Sequence, residues 1–220
     1  MRGDVLIIQE WHRKAGRKAA ELIIPQIAES TSKFTITVAG ESGSGKSEIA
    51  EVVTEVLAEQ DVKSVIFQQD DYFILPPKSN ENKRRGDINW VGANEVHLDL
   101  MDQNLKDFKA GRGKITKPLV IFKEDRITEE TLNIEEFTVA IAEGTYTTSL
   151  NHVDCRIFID QTYHETKKAR LLRAREEQDD FLETVLKIEH KIISSHKRMA
   201  DLIVTRDYDV EKNDIRGTQS

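Results

Sequence analysis

GESGSGKS, from Gly40 to Ser47, is a glycine-rich stretch set between a predicted strand and a predicted helix. The run before it, Phe34-Thr-Ile-Thr-Val-Ala39, alternates and ends in apolar residues, and apolar residues from Ile49 to Leu57 fall on one helical face. A glycine loop in this position presents successive backbone N–H groups, and the N-terminus of the following helix, to an anion. The stretch matches the P-loop pattern G-x-x-x-x-G-K-S/T and predicts a site for nucleotide phosphates.

The positions of this loop have distinct predicted roles. Lys46 is expected to reach the β- and γ-phosphates, and the Ser47 hydroxyl is expected to ligate Mg²⁺. An ordinary Gly/Ser turn is the alternative, and the flanking strand and helix argue against it. The residues predicted to bind the nucleotide are Gly40, Glu41, Ser42, Gly43, Ser44, Gly45, Lys46 and Ser47.

The composition predicts one well-buried domain with a charged surface, since 38% of the 220 residues are hydrophobic and 32% are charged. A net charge of -7 argues against nucleic acid as the main partner, because binding phosphate backbones requires a concentrated basic surface. No apolar run approaches the roughly 20 residues that cross a bilayer, and the start lacks a signal-peptide pattern. We therefore expect a cytoplasmic protein with no membrane partner. The single cysteine, Cys155, cannot form an internal disulfide.

The chain is predicted to have three parts. Residues 1–33 form a helical extension, residues 34–210 a P-loop domain, and residues 211–220 a mobile tail. In the extension, apolar residues recur at steps of three and four, which indicates an amphipathic helix that ends near Pro25. Packing of this helix on its own chain is preferred, and packing on a second subunit of a homo-oligomer remains open. The apolar residues of the helix are Ile8, Trp11, Ala15, Ala19, Leu22 and Ile23.

Short apolar runs that alternate with helical patterns predict an α/β fold, with a P-loop NTPase-type parallel sheet of about five strands and helices on both faces. A polar segment from Pro76 to Asp87 is expected to be an exposed loop. A charged region from His164 to Met199 is predicted to form two helices with a break near Gln178 to Asp180. The predicted strands of the sheet lie at 34–39, 64–67, 138–142, 156–160 and 202–204.

Acidic residues follow two of these strands. In open parallel sheets, ligands bind outside the carboxyl ends of the strands, so Asp70, Asp71 and Glu143 are expected near the phosphates. Asp70 is predicted to accept the proton of an attacking hydroxyl, and Glu143 to hold Mg²⁺ with Ser47, directly or through water. The alternatives are that Asp70 and Asp71 cap a turn or helix and that Glu143 is a turn acid.

Aromatic and basic residues give weaker signals. Tyr72 and Trp90 are predicted on loops near the site, where either could stack on a ligand. The helix that carries Lys167, Arg170, Arg173 and Arg175 could close over the phosphates, although charges alternating along a helix are usually a solvated face. The six histidines show no metal-ligand spacing and are interpreted as surface or helix residues.

Taken in order, several motifs resemble those of the uridine kinase / phosphoribulokinase-like family of P-loop kinases. The resemblance implies a nucleoside-kinase-like fold, ATP and Mg²⁺ as cosubstrates, Asp70 as the base, and an arginine-bearing lid that Arg173 matches best. The motifs are the P-loop, Gln69-Asp-Asp-Tyr-Phe73, Asn89-Trp90, Ala142-Glu-Gly144, Phe158-Ile-Asp160 and Ala200-Asp-Leu-Ile-Val204.

The chain also departs from the family pattern at three places. Val91 stands where uridine kinases have an aspartate that grips the ribose, and only Phe122 is comparable to their base-contacting residues. The family's Arg-Gly-Arg lid segment is Gln178-Asp179-Asp180 here, which reverses the local charge. These changes concern the acceptor side more than the donor side.

The sequence therefore predicts an ATP- and Mg²⁺-dependent kinase that phosphorylates a hydroxyl of a small metabolite, with a uridine-like nucleoside as the leading acceptor. Asp71, Tyr72, Trp90 and Phe122 are the candidate acceptor-binding residues. One alternative is a non-catalytic nucleotide-binding module. The other is a kinase of the same fold with a non-nucleoside acceptor, including one that carries its own phosphate near Lys83, Arg84 and Arg85.

Overall fold

The computed structural model describes residues 6–173 and 179–213, except for the side chain of Arg173. The helices are α1 (Glu10–Glu29), α2 (Lys46–Ala58), α3 (Pro77–Gly86), α4 (Leu98–Lys109), α5 (Lys167–Arg173) and α6 (Asp180–Ile193). The strands are β1 (Phe34–Gly40), β2 (Ser64–Gln68), β3 (Lys114–Ile121), β4 (Arg126–Asn133), β5 (Val139–Gly144), β6 (Cys155–Ile159), β7 (Leu202–Val204) and β8 (Val210–Lys212).

The main sheet has the strand order β2-β5-β1-β6-β7-β8. The first five strands in this order are parallel, as predicted, and β8 adds antiparallel to β7 at one edge. Strands β1 and β5 are buried along their whole length. The α/β fold with a parallel central sheet is thus confirmed, and the loop after β1 lies between the ends of its neighbours β5 and β6.

Alternate side chains of the sheet enter two hydrophobic cores, one on each face, as the period of a strand requires. Ile36 and Val38 of β1 pack in the core beneath α1 and α2. Ala39, one residue further, belongs to the opposite core, which contains Phe108 of α4 and Ile193 of α6. Helices therefore cover both faces, and the sheet between them is a rigid base for the loops at its carboxyl edge.

The N-terminal helix α1 continues through Pro25 to Glu29, so the predicted end near Pro25 is wrong. Pro25 lies on the exposed side of the helix, where water can bond the carbonyl group that the proline leaves without a donor. Ile23, two residues earlier, is fully buried and anchors the helix. Trp11 is predicted on the buried face of the helix but is 48% exposed. The adjacent His12 is buried on that face instead.

Helix α1 packs closely on α2 of its own chain. A Cβ atom on Gly16 would lie only 2.6 Å from the Cβ of Val52, so the absence of a side chain at Gly16 permits this contact. Ala15, Ala19 and Ile23 share a core with residues of α2 and the sheet. The N-terminal segment is therefore packed into the same hydrophobic core as the P-loop strand.

The segment predicted as a loop from Pro76 to Asp87 contains helix α3, so that prediction is wrong. Pro77 occupies the first turn, where the missing proline N–H has no helical partner to lose. The helix is polar on nearly every side and has one buried residue, Asn80. Asn80 Nδ2 donates to Glu95 Oε2 at 2.6 Å, and Arg84 donates to the same carboxylate. Contacts distant in sequence thus stabilise this helix, and apolar periodicity does not reveal them.

The predicted tail, residues 211–220, overlaps the last strand of the sheet. Glu211 and Lys212 form part of β8, and Asn213 donates its Nδ2 to the carbonyl groups of Lys197 and Ala200. A three-residue strand is too short to show an alternating pattern, which explains the error. Within the described ranges, no helix combines the length and apolar character needed to cross a bilayer.

Candidate active site

The P-loop lies at the carboxyl end of β1 and leads into α2. Gly43 and Gly45 have φ angles of 77° and 90°, a left-handed conformation in which glycine avoids the steric cost of a side chain. Gly45 is the N-cap of α2, so the free N–H groups of the first turn face the loop. Lys46 Nζ donates to the carbonyl of Glu41 at 2.9 Å, which folds the lysine back over the loop. The hydroxyl oxygen of Ser44 is buried and has no hydrogen-bond partner among the described residues.

Ser47 and Glu143 meet directly beside this loop. The Ser47 hydroxyl donates to Glu143 Oε1 at 3.1 Å, although the two residues come from α2 and the end of β5. Burial, and then the charge of Asp70, raise the pKa of Glu143 to about 7. A nearby cation would stabilise the ionised form of this carboxyl group and lower its pKa.

These two side chains fit a magnesium ion held mainly by phosphates. Mg²⁺ commonly binds through one or two protein ligands together with substrate phosphate oxygens. In the described part of the chain, no group of three or more His, Cys, Asp or Glu residues could hold a metal ion. The pair formed by Ser47 and Glu143 therefore suits a metal that arrives with a nucleotide.

Asp70 is brought next to Glu143 by the 3₁₀ turn Gln69–Tyr72 after β2. Strands β2 and β5 are parallel neighbours, with Gln68 opposite Glu143. Gln69 is buried, and its Oε1 accepts a hydrogen bond from the Tyr146 N–H at 2.7 Å. A Cβ on Gly144 would lie 2.2 Å from Gln69 Cβ, so the close approach of the turn to β5 requires glycine there. The order of the strands thus places Asp70 near the predicted metal ligands.

A cleft of about 480 Å³ connects these groups. Ser42, Gly43, Lys46, Ser47, Asp70 and Glu143 line one part of it. Residues of α3 and α6 line another part, which we call the α3–α6 wall. The wall is formed by Pro77, Lys78, Asn80, Glu81, Arg84 and Arg85 of α3, and by Phe181, Leu182, Val185, Leu186 and Glu189 of α6. The predicted phosphate-binding, metal-binding and base residues therefore share one cavity with room for a further small molecule.

Asp71 and Tyr72, two of the predicted acceptor ligands, are not among the residues that line the cleft, and both have partners in the protein interior. Asp71 is buried and accepts hydrogen bonds from Lys117 Nζ at 2.7 Å and from the N–H of Val120 at 3.0 Å. Tyr72 is fully buried, and its hydroxyl accepts from Asn104 at 2.9 Å. Both residues attach the turn that carries Asp70 to β3 and α4.

The two other candidate acceptor residues separate in the structure. Phe122, in the 3₁₀ turn after β3, lines the cleft. Trp90 is not among the residues that line it; the indole N–H donates to Asn80 Oδ1 at 2.9 Å, and Lys83 lies over the ring. Trp90 therefore stabilises α3, and its predicted stacking on a ligand is not supported.

The predicted lid is described only in part. The side chain of Arg173, together with Arg175 and Gln178, lies outside the described residues. Arg170 is 7% exposed, lines the cleft, and donates to the carbonyl of Tyr163 at 2.7 Å. A Cβ on Gly43 would lie 2.9 Å from Arg170 Cγ, which shows that this arginine packs directly on the P-loop. Asp179 accepts the N–H of Leu182 and caps α6.

Two histidines contact the P-loop, although the sequence indicated only surface or helix positions for them. His190 of α6 lies 2.6 Å from Glu41 Oε1, and the same carboxylate accepts the N–H of Tyr163 at 2.6 Å. His12 of α1 is buried, and its Nε2 lies 2.6 Å from the position that a Cβ on Gly45 would occupy. Neither histidine lies within a recognisable motif, because its partner is more than thirty residues away in sequence.

Comparisons with known proteins agree with this arrangement. The profile of the Phosphoribulokinase / Uridine kinase family matches residues 35–210. A uridine kinase of Ureaplasma urealyticum is 33% identical over 160 residues, which cover 70% of this chain and 75% of that protein. Two solved structures share the fold. D-glycerate 3-kinase of Cryptococcus neoformans has a TM-score of 0.61 at 12% identity, over 90% of this chain and 99% of that one. Phosphoribulokinase of Rhodobacter spheroides has a TM-score of 0.61 at 14% identity, over 79% and 70% of the two chains.

Proposed function

This chain belongs to the Phosphoribulokinase / Uridine kinase family, whose members are ATP-dependent P-loop kinases, and we propose that it transfers the γ-phosphoryl group of ATP to a hydroxyl of a uridine-like nucleoside. The observation that carries the proposal is the single cleft lined by Lys46, Ser47, Asp70 and Glu143. This set provides a phosphate clamp, a pair of metal ligands and a base within one cavity. Phosphoryl transfer requires these groups mainly for positioning and charge neutralisation.

On the donor side, the P-loop backbone would hold the phosphates of ATP and Lys46 would bind the β- and γ-phosphates. Lys46 Nζ must then leave the carbonyl of Glu41, to which it donates in the structure. Ser47 and Glu143 would hold Mg²⁺, which neutralises phosphate charge when bound. Arg170 packs on Gly43 and would add a positive charge beside the same phosphates.

On the acceptor side, Asp70 would act as the general base. The acceptor hydroxyl oxygen forms a bond to the γ-phosphorus while the bond from that phosphorus to the β,γ-bridging oxygen breaks. The hydroxyl proton passes to the Asp70 carboxylate, and ADP leaves with the bridging oxygen. Asp70 is only partly buried, which suits an acid that must exchange its proton with solvent after each turnover.

A non-nucleoside acceptor is the second candidate. Of the four residues predicted to bind a nucleoside, only Phe122 lines the cleft. A bifunctional alpha-galactosidase/sucrose kinase of Mediterraneibacter gnavus is 25% identical over 189 residues, which cover 80% of this chain and 20% of that protein. A sugar acceptor would leave the proposed roles of the P-loop, Glu143 and Asp70 unchanged.

The test is phosphorylation of a panel of nucleosides, sugars and small alcohols with ATP and Mg²⁺, followed by separation of the products. We expect at least one acceptor to be phosphorylated by the wild type and about 10² to 10⁴ times more slowly by Asp70→Asn, the range for losing a positioned base. The absence of acceptor-dependent ADP release, combined with tight ATP binding, would instead indicate a non-catalytic nucleotide-binding module.

Lys46→Ala tests the donor side separately. Loss of one preorganised cationic contact to a transferring phosphate commonly lowers kcat by about 10² to 10³. Full activity in this variant would show that the P-loop assignment is wrong.

A further inference from the structure

The P-loop contains one acidic residue, Glu41, which is not among the residues that line the cleft. Ser42 and Gly43, the next two residues of the loop, do line it. Glu41 is 5% exposed, so its carboxylate is buried in a loop whose proposed role is to hold phosphates. Like charges placed together disfavour binding. This carboxylate therefore needs partners that keep it apart from a bound nucleotide.

Each oxygen of the Glu41 carboxylate has such a partner. Oε2 accepts the backbone N–H of Tyr163 at 2.6 Å, and Oε1 lies 2.6 Å from Nδ1 of His190. A carboxylate oxygen only accepts hydrogen bonds, so Nδ1 is the donor in the second contact. The backbone N–H is present with any side chain at position 163. The hydrogen bond from His190 is thus the one that depends on a side chain.

Helix α6, which carries His190, is also held next to the P-loop by apolar contacts. Tyr163 packs with Leu182 and Leu186 of α6 in a small hydrophobic cluster. The ring centroid of Tyr163 lies 5.7 Å from that of His190, whose side chain is 36% exposed. The apolar cluster does not require the imidazole. Removal of the imidazole should therefore leave α6 in place and free one oxygen of Glu41.

Lys46 is the cation that a freed Glu41 carboxylate would disturb. Its Nζ donates to the backbone carbonyl of Glu41 at 2.9 Å, and in the proposed function it leaves that carbonyl to bind the β- and γ-phosphates. A buried carboxylate that has lost a donor is costly. An ion pair with Lys46 of the same loop would relieve this cost, and it would take the lysine from the phosphates.

We propose that His190 is a positioning residue for nucleotide binding: it holds the Glu41 carboxylate and so keeps this negative charge away from Lys46 and from the phosphates. The inference rests on the donor half of the proposed function. His190 acts only through Glu41 and does not touch the nucleotide. The preceding residue, Glu189, lines the cleft as part of the α3–α6 wall. One helix therefore borders the cleft and secures the phosphate loop.

The test is calorimetric titration of the full chain with Mg²⁺ and the non-hydrolysable ATP analogue β,γ-imido-ATP, which requires no acceptor. We expect the Kd to rise at least about tenfold in His190→Ala, since a like charge beside bound phosphates costs more than the equivalent of a factor of ten. His190→Gln should bind nearly as well as the wild type, because its amide N–H can still donate to Glu41.

A second substitution distinguishes this role from general damage to α6. Glu41→Gln removes the charge that His190 holds, so the double variant Glu41→Gln/His190→Ala should regain most of the affinity that His190→Ala loses. Damage to the packing of α6 would not be repaired by a change in the P-loop. In that case the double variant would bind no better than His190→Ala.

The matched control is His152→Ala. His152 Nδ1 lies 2.9 Å from Asp102 Oδ2, and the His152 side chain is 37% exposed, but neither residue of this pair lines the cleft. The control should leave the Kd unchanged. If thermal denaturation shows that His190→Ala does not fold, His190→Leu carries the same prediction, because leucine fills the space of the ring and cannot donate.

An unchanged Kd in His190→Ala, an equal rise in His152→Ala, or a double variant that binds no better than His190→Ala would overturn the inference and leave the kinase proposal intact. If the wild type does not bind the analogue, the donor half of the kinase proposal itself fails, and the inference fails with it.

Discussion

Asp70 and Asp71 are adjacent in sequence, yet the structure predicts opposite consequences for their replacement by asparagine. Asp71 forms a buried ion pair with Lys117, in which the side chains are 3% and 4% exposed. Removing one charge of a buried pair typically costs about 3 to 5 kcal/mol, because the other charge is left without compensation. Lys117 retains a second partner, Glu130, at 2.8 Å and 30% exposure, so we expect the lower end, about 3 kcal/mol.

For a domain of this size, about 3 kcal/mol corresponds to a decrease in Tm of roughly 6 to 12 °C. Asp71→Asn should therefore melt early but retain most of its kcat at temperatures where it is folded. Asp70→Asn should behave in the opposite way, because Asp70 is partly exposed in the cleft and the role proposed for it is chemical. Its kcat should fall by about 10² to 10⁴ while its Tm changes by about 2 °C or less.

Thermal denaturation and steady-state kinetics of both variants, measured in one buffer, provide the comparison. Asp71→Ala serves as a second replacement, since it cannot retain an acceptor for Lys117 or Val120. Our reasoning is refuted if Asp71→Asn loses kcat at unchanged Tm, or if Asp70→Asn loses stability while remaining active.

Three further predictions each concern a single residue. Ser47→Ala should raise the Mg²⁺ concentration needed for half-maximal activity, because it removes a proposed ligand and the hydrogen bond to Glu143; unchanged Mg²⁺ dependence would contradict the metal assignment. Gly16→Ala should lower the free energy of unfolding by about 1 to 3 kcal/mol through its clash with Val52, whereas the matched control Gly86→Ala, with nothing within 4 Å of the added Cβ, should not lower it in urea denaturation. Burial lowers the pKa of His196, so the unfolded state binds a proton more readily and stability should decrease as the pH falls below about 6.5; the decrease in Tm between pH 7 and pH 5 should be smaller in His196→Gln.

The donor half of the site could be predicted from the sequence because its signals are local. The residues from Gly40 to Ser47 require only a strand before them and a helix after them, and both are evident as apolar patterns. Asp70 and Glu143 were identifiable because Glu143 lies near the end of the buried strand β5 and Asp70 follows strand β2 by two residues. The parallel sheet then brings these strand ends together by a general rule of α/β folds.

The acceptor half could not be predicted in this way. Helix α3 is held by bonds from Asn80 and Arg84 to Glu95, and these bonds depend on the tertiary fold. Tyr72 follows a strand like a site residue, but its ring is fully buried and bonds to Asn104. Spacing along the chain does not distinguish a side chain that enters the cleft from a neighbour that enters the core.

The contacts of His12 and His190 with the P-loop show the same limit. Each histidine is an ordinary helical residue by sequence, and its significance comes from the residue that faces it across the interface. His190 meets Glu41 from a helix that begins 139 positions later, a separation at which no periodic pattern gives information.

The strand order has a consequence for how the protein is made. Strand β1 and the P-loop are complete by residue 47, but both neighbours of β1 come from residues 139–159, and the bond from Ser47 to Glu143 spans 96 positions. A nascent chain that ends before β5 therefore contains the whole phosphate loop but neither of its flanking strands nor Glu143, the second proposed metal ligand. Strand pairs this distant in sequence form slowly, because the chain loses the entropy of closing a long loop before the contacts between the strands stabilise it. Nucleotide binding stabilises only the folded form, so ATP should protect completed molecules from proteolysis and leave such partial chains unprotected.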